Sequence, residues 1–96
     1  MSEYPTDEEL EIIRNWKTND FHGLMEYIKP LWNYADCGYW NFENDIYSIS
    51  TGGWSGNEDI IANMQENIVW WMMYWQSSRR GGHYTFEDIH HYLERT

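Results

Sequence analysis

The sequence predicts an α+β domain in which an antiparallel four-stranded sheet, built from two hairpins, carries helices packed on one face. Three observations lead there. The first third shows apolar residues at helical spacing behind a clear start signal, the stretch from Gly38 changes to short aromatic and β-branched runs, and the signals alternate in the order αα-ββ-α-ββ-α. Residues 1–96 are few enough that one domain accounts for the whole sequence.

Taken in order, Thr6 followed three residues later by Glu9 is a capping box. Asp7, Glu8 and Glu9 load the first turn with the charge that a helix N-terminus favours. Leu10, Ile13 and Trp16 continue one stripe, which gives a helix from about Thr6 to Lys17. After Asn19-Asp20, the residues Phe21, Leu24, Met25 and Ile28 share a face, and Pro30 ends or kinks that second helix. Tyr39 to Phe42 and Ile46 to Ser50 flank the turn-forming Glu43-Asn44-Asp45 and read as a hairpin.

Ser55 stands three residues before Glu58 as a second capping box, and Ile60, Ile61 and Met64 carry a helix to about Glu66. Ile68 to Trp75 reads in two ways. It could extend a long helix, but its β-branched and aromatic content favours a buried strand that turns through Arg79-Arg80-Gly81-Gly82 into a strand from His83 to Phe86. Thr85, Phe86, Ile89 and Leu93 then suggest a short terminal helix.

Composition bounds the function. Sixteen Asp and Glu against six Lys and Arg leave a formal net charge of −10. Such a field repels nucleic acid and anionic lipid, so direct nucleic-acid binding and membrane attachment are not expected, whereas a basic protein surface would be attracted. The single Cys37 cannot close an internal disulfide, and Met1-Ser2-Glu3-Tyr4 does not open a leader peptide, so a reducing cytoplasm is the expected compartment. The apolar run from Ile68 to Trp75 is far shorter than a membrane span. Seven Trp, eight Tyr and three Phe can build a large core around Trp16, Trp32, Trp40, Trp70, Trp71 and Trp75. So many rings cannot all be interior in a domain this small, and some exposed aromatic surface is expected.

Backbone freedom gathers in two stretches, Thr51-Gly52-Gly53-Trp54-Ser55-Gly56-Asn57-Glu58 and Ser77-Ser78-Arg79-Arg80-Gly81-Gly82-His83, which hold five of the seven glycines, and in the second it coincides with positive charge. A glycine turn that enters a helix leaves backbone N–H groups facing outward, and paired arginines bind anions through their side chains. The candidate ligand site is therefore Trp54, Ser55, Gly56, Arg79, Arg80 and His83, with Trp54 stacking on a planar group and the arginines and His83 holding an anion. Neither stretch has the spacing of a Walker loop or a dinucleotide fingerprint. The competing reading is architectural: the glycines turn the chain, Trp54 packs, and the arginines pair with acids. If the site is real, the two loops should be neighbours at one end of the sheet, with Trp54 touching the Arg79–His83 turn.

Catalytic and metal constellations are weaker. Cys37 with His22, His83, His90 or His91 could make a nucleophile and base, but a lone cysteine is more often a small buried apolar residue. Glu87, His90, His91 and Glu94 have helical spacing without matching a zinc pattern, and a solvated face explains them better. Asp36, Glu58 and Asp59 could serve as bases, although capping and first-turn roles account for Glu58 and Asp59. No catalytic residue, metal or cofactor is assigned.

Tyr34-Ala35-Asp36-Cys37-Gly38-Tyr39-Trp40, Gly53-Trp54-Ser55-Gly56-Asn57-Glu58, Trp71 to Trp75 and Ser78-Arg79-Arg80-Gly81-Gly82-His83 together resemble a family of small bacteriophage- and prophage-encoded proteins. The resemblance spans Tyr34 to Phe86 and implies a phage source and a role inside an infected bacterium, without an activity. Two functions follow as expectations. One is a non-catalytic accessory protein that sequesters an anionic small molecule or nucleotide of the host. The other is an acidic inhibitor in which Asp7, Glu8, Glu9 and Glu11 imitate nucleic acid and block a basic host or defence protein.

Overall fold

The computed structural model describes residues 4–88. Helix α1 spans Asp7–Arg14 and begins as expected: Thr6 Oγ1 accepts from Glu9 N at 3.1 Å, and Glu9 Oε1 accepts from Thr6 N at 2.8 Å. It ends at Arg14, short of Lys17, and its end and the residues just beyond are tied down from outside the helix. The buried Asn67 amide donates to the carbonyls of Ile13 and Trp16 at 3.2 and 3.0 Å. Helix α2 spans Phe21–Ile28 behind an Asp20 cap, and Pro30 sits in the 3₁₀ turn Lys29–Leu31 that ends it. A second 3₁₀ turn, Ala35–Cys37, leads to strand β1, Trp40–Glu43, and then to β2, Ile46–Ser50. Asn44 and Asp45 turn between the strands with positive φ, the conformation that a two-residue hairpin loop requires.

Helix α3 spans Ser55–Glu66 and is followed by helix α4, Ile68–Tyr74. Here the preferred strand reading of Ile68 to Trp75 is overturned. Asn67 breaks the direction of the chain at φ −83, ψ 73, its carbonyl accepts from Trp71 N at 2.9 Å, and the run continues as a separate short helix. Trp70 and Tyr74, four apart, are buried together, whereas Ile68, Val69 and Met72 face outward. Strand β3 starts later, at Trp75–Arg79, and turns through Arg80-Gly81-Gly82 into β4, His83–Glu87.

The terminal helix suggested by Thr85 and Phe86 does not begin there. Both residues belong to β4, where Thr85 pairs with Ser48 on one side and Ser77 on the other; Ile89 and Leu93 lie outside the described residues.

The four strands are antiparallel in the order β1-β2-β4-β3, and the helices cover one face. The core lies between them, with Trp70, Phe86, Ile13, Leu24, Met25, Ile28, Ile49, Ile60 and Met64 sealed from solvent. Of the expected aromatic core, Trp32, Trp40 and Trp70 are buried, Trp16 and Trp71 pack against them half-buried, and Trp75 is exposed and stacked on Trp71. Among the described residues no helix is long and apolar enough to cross a membrane.

Candidate functional site

Strand periodicity builds the site. Side chains alternate across a sheet, so Tyr47 and Ile49 of β2 and Phe86 of β4 enter the core, while Ser48, Ser50, His83 and Thr85 stand on the opposite face. The register aligns Asn41 with Ser48, Ser48 with Thr85, Ser50 with His83, and His83 with Arg79. These six residues, from all four strands, line an open trough of about 560 Å³ on the face away from the helices.

The two glycine turns meet at the end of this trough, as expected. Thr51 N donates to the carbonyl of Gly82 at 3.0 Å, and the approach is so close that a Cβ on Gly82, which sits at φ +79, would run into Thr51 Oγ1. Gly52 lies equally flat against the Tyr39 ring. The junction is held from beneath by Asn57, wholly buried in α3. Its amide donates to the carbonyls of Thr51 and Asn33 at 3.3 and 3.2 Å, and its oxygen accepts from Asn33 N at 2.8 Å.

The proposed set of six residues divides here. Arg79 and His83 stand side by side in the trough. Arg80 is exposed in the turn and does not line it. Trp54 does not line it either: its ring packs against Tyr34, centroids 5.0 Å apart, which corrects the expected contact with the Arg79–His83 turn. Gly56 is buried. Ser55 is exposed, and it is the first helical residue and not the cap; the cap position belongs to Trp54, which offers no side-chain acceptor. The second capping box is therefore absent.

Asn41, Ser48, Ser50 and Thr85 were missed by the sequence reading. Their signal was present as polar residues at period two in Ile46-Tyr47-Ser48-Ile49-Ser50 and in His83-Tyr84-Thr85-Phe86.

The trough carries the guanidinium of Arg79. No carboxylate lines it, although the chain carries a net charge of −10. Among the described residues the one ion pair is Arg14–Glu66 at 3.9 Å, and neither Arg79 nor Arg80 pairs with a described acid. Ser50 Oγ and His83 Nδ1 share a short hydrogen bond that fixes the imidazole against the strand. Ser77 Oγ and Thr85 Oγ1, 2.6 Å apart, continue the polar ladder. An arginine fork, an imidazole and several hydroxyls in one trough can bind an anion and hydrogen-bond the polar groups attached to it.

The other constellations do not assemble. Cys37 is exposed, contrary to the buried reading, and lines a separate cleft with Lys29, Pro30, Trp32, Tyr34, Ala35 and Asp36, where no histidine is present. Glu87 accepts from the Gln76 amide across the β3–β4 pair, and His90, His91 and Glu94 lie outside the described residues. Among the described residues no three metal-ligating side chains cluster. Burial raises Tyr47 and Tyr74 above the ordinary 10.0, and nearby carboxylates, Glu26 for the first and Asp88 and Asp20 for the second, push the same way.

No protein-family model, curated protein or solved structure matches the chain.

Proposed function

We propose that this protein is a non-catalytic binder of a small anionic molecule, held on the open face of the sheet. The observation that carries this reading is the juxtaposition of Arg79 and His83 in a hydroxyl-lined trough free of acids, within a strongly acidic chain. About 560 Å³ falls within the range of small-molecule sites. The lining favours a phosphate or carboxylate on a hydroxyl-bearing scaffold. A nucleotide is less well served, because Trp54, the ring expected to stack on its base, packs on Tyr34. The resemblance of both loops to phage and prophage proteins makes a metabolite of an infected bacterium the natural ligand, and sequestration of it the natural role.

The acidic-mimic reading draws on Asp7, Glu8 and Glu11, all exposed on α1. It would gain if Arg79 and Arg80 served only to neutralise neighbouring acids. They form no ion pair among the described residues, which favours the binder.

The test is calorimetry and thermal shift with inorganic phosphate and a panel of phosphorylated and carboxylated metabolites. A ligand at a hundred times its Kd should stabilise the fold by about 2.7 kcal/mol. Arg79→Ala should weaken binding roughly tenfold or more, since hydrogen bonds to charged groups contribute about 1.5–3 kcal/mol, while the melt stays nearly unchanged. A cooperative melt lost in Arg79→Ala would make the arginine architectural and overturn the proposal. If charge reversal of Asp7, Glu8 and Glu11 abolishes inhibition of a basic host protein while Arg79→Ala is silent, the mimic replaces the binder.

A further inference from the structure

A second site, independent of the trough, lies on the opposite face of the sheet, in the cleft between α2 and the edge strand β1. His22, Met25, Glu26 and Lys29 fall at positions i, i+3, i+4 and i+7 of one helical stripe, and they face Trp40, Phe42 and Tyr47 across a cavity of about 270 Å³. Met25 is fully buried beneath it.

The aromatic wall is continuous. Trp40 and Phe42 are two residues apart on the same face of β1, which separates their Cα atoms by about 7 Å. Tyr47 stacks on Phe42 with centroids 4.3 Å apart and meets Trp40 edge-on at 5.9 Å. Tyr47 Oη is held 3.0 Å from His22 Nδ1, and the His22 ring stands edge-on to Phe42 at 5.9 Å. Phe42 remains 47% exposed although it points to the core side of its strand. Tyr47 and His22 cover part of this ring, and it also lines the cavity.

We propose that this cleft binds the trimethylammonium head of a small choline-like molecule. The quadrupole of an aromatic ring attracts a cation placed within about 6 Å of its centroid, and a group seated between Trp40 and Phe42 meets two rings at once. The bulky, weakly hydrated methylammonium group suits such a wall, because it brings positive charge without hydrogen-bond donors that would need partners. Glu26 supplies the complementary carboxylate. Its charge is felt at the Tyr47 hydroxyl, which it helps to raise above 10.0, and it forms no ion pair among the described residues. Lys29 lies at the rim and opposes the bound charge. It makes no ion pair and stacks on no ring among the described residues, so it does not already fill the cleft. The small volume, floored by Met25, fits a head group of a free molecule better than an extended peptide.

The experiment is a titration of the intact protein with choline and, separately, with 3,3-dimethylbutan-1-ol, its neutral carbon isostere. Binding is read from the upfield ring-current shift of the methyl protons and from calorimetry. Choline should saturate, with the isostere roughly fivefold weaker or more, as expected where the cation–ring attraction adds to shape. Phe42→Ala should abolish the shift. Because Phe42 is half exposed, its thermal melt serves as the check that the fold persists. Glu26→Gln should weaken choline severalfold in low salt without affecting the isostere, and Lys29→Met should strengthen it. Equal affinity for the two ligands, an unchanged affinity in folded Phe42→Ala, or the absence of any saturable shift would each overturn the assignment. Tighter binding of a peptide carrying Nε-trimethyl-lysine would overturn the small-molecule source. Arg79→Ala should leave every one of these readings unchanged, so failure of the anion site and failure of this one are separable.

Discussion

Helices α1 and α3 open on the same four-residue signature, Thr6-Asp7-Glu8-Glu9 and Ser55-Gly56-Asn57-Glu58, and only the first uses it. At α1 both reciprocal bonds form. At α3 the helix starts one residue early, Trp54 takes the cap position at φ −77, ψ 125, and Glu58 N bonds the Trp54 carbonyl at 3.0 Å. Of the described residues ahead of α1, Tyr4, Pro5 and Thr6, none belongs to a strand, and local side chains decide where that helix starts. The start of α3 is held by distant partners: Thr51 N by the Gly82 carbonyl, and the Asn57 side chain by Asn33. A capping box states a preference of a fraction to about 2 kcal/mol, and several long-range bonds can outweigh it.

The comparison breaks most severely at Asn57. Asn57→Ala should remove three hydrogen bonds, those to the Asn33 N–H and to the carbonyls of Asn33 and Thr51, and lower stability by roughly 2–4 kcal/mol, at about 0.5–1.5 kcal/mol for each bond lost. Chemical denaturation measures the loss. Asn57→Asp keeps the acceptor for Asn33 N but sets a wholly buried carboxyl group against the carbonyls of Asn33 and Thr51, so it should be no more stable than Asn57→Ala. An Asn57→Ala midpoint within error of wild type would mean that α3 is not pinned from within. Thr6→Ala comes next, at about 1 kcal/mol, because it removes an exposed local cap and nothing else. A silent Thr6→Ala would deny that α1 is locally specified.

The same division explains what could be read from the sequence. The β1–β2 hairpin, the α1 start and the α2 stripe were legible because each is written within ten or so residues. Helix α4 was not, because every position from Ile68 to Trp75 is apolar and an unbroken run conceals its period. The burial of Trp70 and Tyr74 beside the exposure of Ile68, Val69 and Met72 exists only once Asn67 has tied the chain to the end of α1. At the trough, Arg79 and His83 were found from the charge and turn chemistry of one segment. Their partners Ser48 and Ser50 needed the β2–β4 register, which joins residues over thirty positions apart, and Asn41 follows through its pairing with Ser48. Trp54 was misplaced for a related reason: its neighbour Tyr34 sits at φ 62, a left-handed conformation rare for tyrosine that a propensity argument does not anticipate.

Ser55→Ala should have the smallest effect and sharpens the contrast most. Ser55 occupies the first helical position, where its hydroxyl caps nothing, and alanine is the better helix former, so the change should stay within about 0.5 kcal/mol of zero and could be slightly stabilising. A double-mutant cycle isolates the point from any general effect of the substitution. Thr6→Ala with Glu9→Ala should show a coupling of about 0.5 kcal/mol or more, because each side chain serves the other's backbone N–H. Ser55→Ala with Glu58→Ala should be additive, since Glu58 N is already satisfied by the Trp54 carbonyl. A loss near 1 kcal/mol in Ser55→Ala, together with a non-zero coupling, would mean that the α3 start in solution is the capping box after all. The long-range bonds at Thr51 and Asn57 would then be following the local signature and not overriding it.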